Sequence, residues 1–377
     1  MPRIDFRGKL VDEPEIRAGF IGCGSHSFRN LYPVFQFAPV KLVATCDLEL
    51  AKARAFAAKF GATAAYGRHA EMLEKEHLDA VFICTGYDEQ GRPRYPALAL
   101  DVLAAGRHVW IEKPPAATAA EIQRLRAAAA ERGLNAMVGL KKMFIPANEK
   151  AKELMSDPEF GAPHLATIQY PLYVPTVAEF EEYRQGHPHG GVRSFLDHLC
   201  HPAALLVYLL GMPQALFYER SRAGGGLATF RFDSGTIASL ALTHGAPHAG
   251  GMEWTQIVSD RDRRITVENN LRVALHRPAP LPYGASPSYY AGAPAETSSV
   301  WEPEFSLGQL YNKGLFMLGY YGEIIEFARS ILERRPPAKG TLEQAEQVTR
   351  IFEAFAEGPG RTIKLCQDGP RPQAGER

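Results

Sequence analysis

Short apolar segments alternate with alanine-rich helical patterns from Ile16 to about Lys142. The apolar segments predict five β-strands, at 16–21, 40–47, 79–86, 108–113 and 135–140. Helical patterns lie between them, at 48–60, 95–105 and 119–133. Strands this apolar are typical of a parallel sheet whose two faces are both covered by helices. We therefore predict a doubly wound α/β domain over residues 1–142, of which 1–15 form an N-terminal arm.

The sequence after Pro146 has a different organisation. Strand patterns follow one another with short turns between them, at 164–172, 215–221, 226–233, 235–244, 252–259 and 263–268. Helical patterns occupy about 147–156, 194–210, 318–334 and 341–356. Successive strands of this kind predict a large, mainly antiparallel open sheet that is backed by helices. We predict an α+β domain over 143–366, followed by a disordered tail over 367–377.

Charge and apolar patterning exclude several classes of protein. Lys and Arg together number 42, as do Asp and Glu, so the formal net charge is zero. Nucleic acids and anionic membranes are recognised by a basic excess, so we predict neither partner. The first 20 residues lack the apolar core of a secretion signal, and the longest apolar run, 202–212, is too short to cross a bilayer. The five cysteines are scattered singly, which predicts buried free thiols in the reducing cytoplasm.

The first strand pattern ends in a glycine-rich turn, Gly22-Cys23-Gly24-Ser25-His26-Ser27. This is a G-x-G-x-x-G pattern in which serine replaces the third glycine. In Rossmann domains the first glycine permits the tight turn, and the second lets the backbone approach a pyrophosphate at a helix N-terminus. The third position requires only a small side chain, which Ser27 provides. The turn therefore predicts a dinucleotide site, and a glycine-rich turn without a ligand is the alternative.

Asp47 ends the second strand pattern, 23 residues after Gly24. A carboxylate at this position accepts hydrogen bonds from an adenosine ribose and repels a 2′-phosphate. We therefore predict NAD as the cofactor in preference to NADP.

Three further motifs follow in order: Glu112-Lys113-Pro114 at the end of AAGRHVWIEKP, an F-x-P element (Phe144, Pro146) and a GG…DxxxH element (Gly190, Gly191, Asp197, His201). With the glycine-rich turn, this ordered set resembles the Gfo/Idh/MocA oxidoreductases, which are NAD(P)-dependent sugar and cyclitol dehydrogenases. The resemblance is specific from Ile16 to about Met212 and weaker to Leu365. Four positions depart from the family pattern. The family usually has proline where this chain has Gly86, histidine at Tyr95, arginine at Met143 and aspartate at Ala204.

Lys113 is a catalytic candidate on its position alone, because open α/β sheets bind ligands at the carboxyl ends of their strands. A cation there can hold a carbinol oxygen and stabilise the charge that develops as the hydroxyl loses its proton. A solvated lysine at a strand end is the alternative. The resemblance places Lys113 at the catalytic position of the family.

Asp197 and His201 lie four residues apart, which places both on one face of a helix. Imidazole suits a general base near neutral pH, and a carboxylate beside it can orient the ring or bind a neighbouring substrate hydroxyl. Pro202 predicts that the helix kinks or restarts at His201. A satisfied core histidine is the alternative, whereas the resemblance implies a catalytic one.

The predicted site has three sets of residues. The catalytic set is Lys113, Asp197 and His201. The cofactor contacts are Gly22, Gly24, Ser25, His26, Ser27, Asp47, Thr85, Gly86, Glu112 and Lys113. The substrate contacts are Lys113, Tyr173, His189, Asp197 and His201. The local cluster of His187, His189, Asp197, His198 and His201 matches no metal-binding motif, so we predict no metal.

The hypothesis for function is hydride transfer between NAD and a carbinol carbon of a sugar, cyclitol or sugar derivative. His201 acts in it as general acid/base, and Lys113 positions the reacting hydroxyl. Two alternatives are an NAD-dependent glycoside-cleaving enzyme that uses transient oxidation, and a non-catalytic NAD(P)- or sugar-sensing regulator on the same fold. The resemblance also implies a homodimer or homotetramer. Aromatic residues in a predicted surface loop over 277–305 would line either the sugar site or a subunit interface: Tyr283, Tyr289, Tyr290 and Trp301.

Overall fold

The computed structural model describes residues 13–278, 297–303 and 313–365. Most of the predicted N-terminal arm, the tail and the greater part of 277–305, including Tyr283, Tyr289 and Tyr290, lie outside these residues. Trp301 is described, and it lies at the end of a strand instead of in a loop. The ammonium of Lys150 lies over its indole, 4.8 Å from the ring centroid.

The first sheet has six strands: β1 (Ile16–Ile21), β2 (Val40–Cys46), β3 (Ala64–Tyr66), β4 (Ala80–Ile83), β5 (His108–Ile111) and β6 (Ala136–Val138). Their spatial order is β3-β2-β1-β4-β5-β6, and every neighbouring pair is parallel. The predicted doubly wound sheet is confirmed. The order reverses between β1 and β4, and such a switch point leaves a crevice at the carboxyl ends of the strands.

Four helices connect these strands: α1 (Leu50–Phe60), α2 (His69–Lys75), α3 (Tyr95–Ala104) and α4 (Ala119–Glu131). Thr118 caps α4, because its hydroxyl accepts a hydrogen bond from Glu121 N and the Glu121 carboxylate accepts one from Thr118 N. The segment after the glycine-rich turn is a π-helical turn, Ser27–Leu31, followed by a 3₁₀ turn, Tyr32–Gln36. A regular α-helix does not form there, since Pro33 has no N–H to continue the bonding.

The second sheet has nine strands: β7 (Pro163–Tyr170), β8 (Ala215–Arg220), β9 (Gly226–Arg231), β10 (Ile237–Leu242), β11 (Trp254–Ser259), β12 (Arg264–Glu268), β13 (Arg272–His276), β14 (Ser298–Trp301) and β15 (Thr362–Lys364). Their order is β14-β13-β12-β11-β7-β10-β9-β8-β15. Only β7 and β10 pair in parallel among these described strands, and the other neighbours are antiparallel. The prediction of a large, mainly antiparallel sheet is confirmed.

Six helices accompany this sheet: α5 (Pro146–Met155), α6 (Val177–Arg184), α7 (Gly190–Leu210), α8 (Lys313–Met317), α9 (Tyr320–Leu332) and α10 (Leu342–Phe355). Helix α7 continues through Pro202 without interruption. The sequence predicted either a kink or a restart at His201, and the restart does not occur. A proline inside a helix costs about 3 kcal/mol. Burial offsets this cost, because thirteen of the 21 residues of α7 are buried.

The last two long helices both pack against the first sheet, and α10 also contacts β8 of the second sheet. Phe327 of α9 meets Phe82 of β4 edge-to-face, with ring centroids 5.3 Å apart. The Val138 amide of β6 donates to the carbonyl of Gly340, just before α10, at 2.7 Å. The chain therefore returns to cover the sheet with which it began. The predicted domain boundary at residue 142 stays a prediction.

Four of the five cysteines are free and buried, as predicted: Cys23, Cys46, Cys84 and Cys200. Cys366 lies outside the described residues. In the part of the chain that the structure describes, no helix combines the length and the apolar character needed to cross a membrane.

Candidate active site

A cleft of about 940 Å³ opens at the carboxyl ends of β1, β2 and β4. It lies at the switch point of the first sheet, where open α/β folds bind ligands. Eight of the ten predicted cofactor residues line it: Gly22, Gly24, Ser25, His26, Ser27, Asp47, Thr85 and Gly86. The other two, Glu112 and Lys113, follow β5 beside the cleft, where Glu112 Oε1 lies 3.8 Å from His26 Nε2.

The glycine-rich turn depends on the absence of a side chain at Gly22 and on the hydroxyl of Ser27. Gly22 has a φ of 109°, and a Cβ at this position would lie 1.9 Å from the carbonyl oxygen of Cys84. Only glycine fits there. The Ser27 hydroxyl donates to Gly22 O at 3.0 Å and accepts from Gly24 N at 3.2 Å. The serine in the third position of the motif therefore closes the turn.

We expect Gly24→Ala to weaken NAD binding about tenfold without changing the melting temperature. A Cβ at Gly24 meets only Ser27 Oγ, at 4.0 Å, so the fold tolerates it. The same methyl group obstructs the approach of a pyrophosphate to the backbone. Calorimetry with NAD and thermal unfolding measure the two effects. Gly314→Ala is the control, because it also adds a Cβ in open space; equal NAD affinity of Gly24→Ala and the parent would contradict the prediction.

Two backbone amides fix the carboxylate of Asp47. Cys23 N donates to Oδ2 at 2.8 Å, and Glu49 N donates to Oδ1 at 2.9 Å. Each oxygen keeps a second lone pair that can accept from a ribose hydroxyl. The hydroxyl of Thr85 is buried in the same cleft and has no hydrogen-bond partner among the described residues. A dinucleotide fits this set, since it offers partners for Asp47, Thr85 and the open backbone at Gly24.

Lys113 and Asp197 form an ion pair that joins the first sheet to α7. Lys113 Nζ lies 3.0 Å from Asp197 Oδ1. Burial lowers the pKa of Lys113, but the charges of Glu112 and Asp197 outweigh it, so the net shift of this pKa is upward. Burial raises the pKa of Asp197, but the Lys113 charge and hydrogen bonds from Lys113 and Tyr87 outweigh it and leave the pKa below its usual value. Both side chains are therefore charged near neutral pH.

His201 lies one helical turn after Asp197 and is 9% exposed. Burial lowers its pKa well below the usual value, and the positive charges of Lys113, Lys141 and Lys142 add to this effect. The ring centroid lies 6.1 Å from that of Tyr170. The imidazole is therefore neutral near pH 7 and can accept a proton.

The structure brings Asp197 to Lys113 instead of to His201. Lys113 and Tyr87 both contact Oδ1 of Asp197, and His198 Nδ1 lies 3.6 Å from Oδ2. One of the two roles predicted for Asp197 was to orient the imidazole of His201. None of these three contacts of Asp197 involves His201, so they do not support that role. Across 13–278, 297–303 and 313–365, no three His, Cys, Asp or Glu side chains are grouped so as to hold a metal ion.

Tyr173 and His189, the two remaining predicted substrate contacts, belong to a separate polar cluster around Glu179. Tyr173 OH donates to Glu179 Oε2 at 2.9 Å and accepts from Arg220 Nη2 at 3.2 Å. His189 Nδ1 accepts from Val192 N at the start of α7, at 3.3 Å, and its Nε2 lies 3.6 Å from Glu179. Their polar atoms hold α6 and α7 in place. Their contact with a substrate stays a prediction.

Two buried carboxyl groups interact beside the cleft. Glu323 of α9 is fully buried, and neither of its oxygens has a hydrogen-bond partner among the described residues. Burial and the charge of Glu112 raise the pKa of Glu323 well above its usual value. Burial also raises the pKa of Glu112 to about 7, although Lys113 and Lys141 oppose the rise. Near neutral pH both carboxyl groups therefore hold a proton more readily than an exposed carboxyl does.

Sequence reasoning missed Tyr87 and Glu323. Tyr87 contacts Asp197, 110 positions along the chain, and no local pattern marks such a pair. Glu323 did leave a signal, because it lies on the apolar stripe that Tyr320, Ile324 and Phe327 form on α9. A carboxylate on such a stripe is costly when it is charged.

Comparisons with known proteins agree with this architecture. Residues 16–140 match a family model described as an oxidoreductase family with an NAD-binding Rossmann fold. Residues 148–267 match the GFO/IDH/MocA C-terminal domain. The fold and the cleft thus define an NAD-binding oxidoreductase class. Within it, the chain belongs to the Gfo/Idh/MocA family, as the sequence motifs predicted.

Three relatives show how far the similarity extends. Trans-1,2-dihydrobenzene-1,2-diol dehydrogenase of Sus scrofa is 29% identical over 148 residues, 39% of this chain and 43% of that protein. dTDP-3,4-didehydro-2,6-dideoxy-alpha-D-glucose 3-reductase of Streptomyces violaceoruber is 30% identical over 257 residues, 65% of this chain and 71% of that protein. An Agrobacterium radiobacter oxidoreductase, solved with NAD+, L-tartaric acid and magnesium, has a TM-score of 0.74 at 14% identity, and covers 93% of this chain and 98% of its own. The match to the diol dehydrogenase spans less than half of that protein's length.

Proposed function

We propose that this protein is an NAD-dependent dehydrogenase that acts on a carbinol carbon of a sugar, cyclitol or related polyol. The observation that carries the proposal is the charged Lys113–Asp197 pair, with the neutral imidazole of His201 one turn away on α7. Together they offer a cation for the reacting oxygen and an acceptor for its proton. The names of two relatives, a diol dehydrogenase and a sugar 3-reductase, support the substrate class.

In this proposal each group has one task. Residues 22–27 hold the pyrophosphate of NAD and Asp47 its adenosine ribose; when bound, NAD supplies the hydride acceptor. Lys113 Nζ donates a hydrogen bond to the reacting hydroxyl oxygen and stabilises its negative charge as the proton leaves. His201 takes this proton in oxidation and returns it in reduction. Asp197 keeps the Lys113 ammonium charged and in place.

We expect NAD to bind at least about tenfold more tightly than NADP. The Asp47 carboxylate is held by two backbone amides, so it cannot turn away from a 2′-phosphate. Its negative charge repels that phosphate and accepts hydrogen bonds from a free ribose. Calorimetric titration with each cofactor measures the difference. Tighter binding of NADP would show that Asp47 does not select the cofactor.

The proposed activity is tested by mixing the purified protein and NAD with free sugars, inositols, sugar acids and glycosides. The expected result is NADH formation with at least one free polyol and no glycoside cleavage. Cleavage of a glycoside without net NAD reduction would favour the transient-oxidation enzyme instead. NAD binding without turnover on any member of the panel would favour a sensing regulator.

The exposed face of the second sheet is our proposed subunit contact. Large apolar side chains lie exposed on four adjacent strands: Leu165, Phe217, Leu227 and Ile237. Leu165 and Ile237 are direct neighbours across β7 and β10, and exposed apolar side chains grouped on one face are typical of protein–protein contacts. This face supports a homodimer or a homotetramer.

A further inference from the structure

A small hairpin between β4 and α3 carries Tyr87 to the Lys113–Asp197 pair. Tyr87 pairs with Pro93 across it, and Asp88 N donates to Arg92 O at 2.9 Å. The Asp88 carboxylate closes the tip, because it accepts from the backbone amides of Gln90 and Arg92. The hairpin is thus stabilised by its own hydrogen bonds and presents Tyr87 directly after the cleft residues Thr85 and Gly86.

The hydroxyl and the ring of Tyr87 are both fixed. The hydroxyl donates to Asp197 Oδ1 at 2.8 Å, and this is the same oxygen that Lys113 Nζ contacts at 3.0 Å. The guanidinium of Arg193 lies over the ring, 5.5 Å from its centroid, which is within the range of a cation–π contact. Tyr87 therefore joins the first sheet to α7 through Asp197 Oδ1, the same oxygen that forms the ion pair with Lys113.

We propose that Tyr87 is a positioning residue, which holds the Asp197 carboxylate in the orientation that fixes the ammonium of Lys113. The inference rests on the proposed function, since it deepens the role of the same ion pair. A carboxylate with one donor can swing about its Cβ–Cγ bond and take the lysine with it. A second donor on the same oxygen, held by a closed hairpin, removes this freedom.

The hydrogen bond from Tyr87 to Asp197 can be measured through its effect on the pKa of Asp197. Ionisable groups of the neighbouring elements interact with Asp197: Lys113 and Glu112 after β5, His26 in the glycine-rich turn, Cys84 after β4, Tyr95 of α3, Tyr170 of β7, Tyr87 of the hairpin, and Cys200 and His198 of its own helix. Lys113 and Tyr87 hydrogen-bond the ionised carboxylate and lower its pKa. Loss of the Tyr87 hydroxyl therefore raises the pKa of Asp197.

The test is Tyr87→Phe, which removes the hydroxyl and keeps the ring under Arg193. We expect kcat to fall about tenfold, with little change in the KM for NAD. Protonation of either His201 or Asp197 should stop turnover, so both groups shape the acid limb of the pH–rate profile, and this limb should move upward in Tyr87→Phe because Asp197 becomes easier to protonate. A purely structural role of the ring would leave this limb in place.

Tyr183→Phe is the matched control. Tyr183 OH donates to Gly91 O at 3.2 Å, so this variant also removes a tyrosine hydroxyl that holds the same hairpin, but one that does not contact Asp197. It should leave the acid limb unchanged. An unmoved acid limb in Tyr87→Phe, or equal shifts in both variants, would overturn the proposal.

A second readout separates this inference from the proposed function. Carbon-13 NMR of carboxyl-labelled aspartate, with Asp197→Asn to assign the signal, gives the pKa of Asp197 without any turnover. A higher pKa in Tyr87→Phe than in the parent and in Tyr183→Phe supports the inference; equal values overturn it. If the parent oxidises no polyol, the proposed function fails, and the NMR comparison still decides whether Tyr87 controls Asp197.

Discussion

Replacing Lys113 with methionine should lower turnover about a thousandfold and change the affinity for NAD far less, because Lys113 is one of ten predicted cofactor contacts. Lys113 supplies the positive charge at the reacting oxygen, and methionine keeps most of the side-chain length without that charge. The pyrophosphate and ribose part of the cleft is formed by residues 22–27 and Asp47, which the substitution does not touch. Steady-state kinetics with the best polyol of the panel and calorimetry with NAD measure the two quantities.

A double variant separates charge from folding in this experiment. Lys113→Met alone leaves the half-buried carboxylate of Asp197 without its cation, and removing one partner of such an ion pair is destabilising. Lys113→Met combined with Asp197→Asn removes both charges, so thermal stability should return while turnover stays low. A single variant within about threefold of the parent kcat, or recovery of kcat in the double variant, would exclude the proposed role of Lys113.

The stability of Glu323→Gln should increase relative to that of the parent as the pH rises from about 5 to 8. In the folded state Glu323 and Glu112 hold protons that the unfolded chain releases above its ordinary carboxyl pKa, so unfolding releases protons and is favoured as pH rises. Glutamine cannot ionise, so the melting temperature of the variant minus that of the parent should increase as pH rises.

Glu326→Gln is the control for this series. Glu326 lies on the same helix as Glu323, but its pKa is shifted in the opposite direction. Burial opposes ionisation of Glu326, but its hydrogen bonds to Arg335 and Ala338 N outweigh this and lower its pKa. Its contribution to stability is therefore present above the ordinary carboxyl pKa and is lost as the pH falls. Thermal unfolding across the series measures both variants. A constant difference between Glu323→Gln and the parent at all pH values would mean that Glu323 is ionised in the folded protein.

Sequence patterns predicted the strands whose own residues are mostly apolar. They missed short elements that form only because another strand or helix lies beside them. The apolar runs of β1, β2, β4 and β5 are readable because each strand is buried on both faces. Strands β3 and β15 have three residues each, and they form because an adjacent strand offers an edge. Helix α6 has only Phe180 and Tyr183 buried, so its apolar periodicity is weak. Its capping box, Thr176 with Glu179, was the available signal.

The candidate site was predictable as a set of residues but not as a set of contacts. Ordered motifs pointed to Lys113, Asp197 and His201, while only the packed structure pairs Asp197 with Lys113. The hydroxyl of Tyr173, a predicted substrate contact, donates to Glu179 of α6, and nothing in the sequence indicated this contact. Protonation states depend on burial, which comes from elements far apart in sequence. This is why the neutral forms of His201 and Glu323 could not be read from local patterns.

The return of α9 and α10 to the first sheet has a consequence for synthesis of the chain. Strand β6 ends at Val138, and its partner Gly340 is added 202 residues later. At about 5–20 residues per second, the strands made first wait roughly 10–40 s for the helices that cover them. Until then Phe82 lacks the ring of Phe327 against which it packs. The half of the protein that leaves the ribosome first therefore cannot complete its folding until most of the second half has also been made.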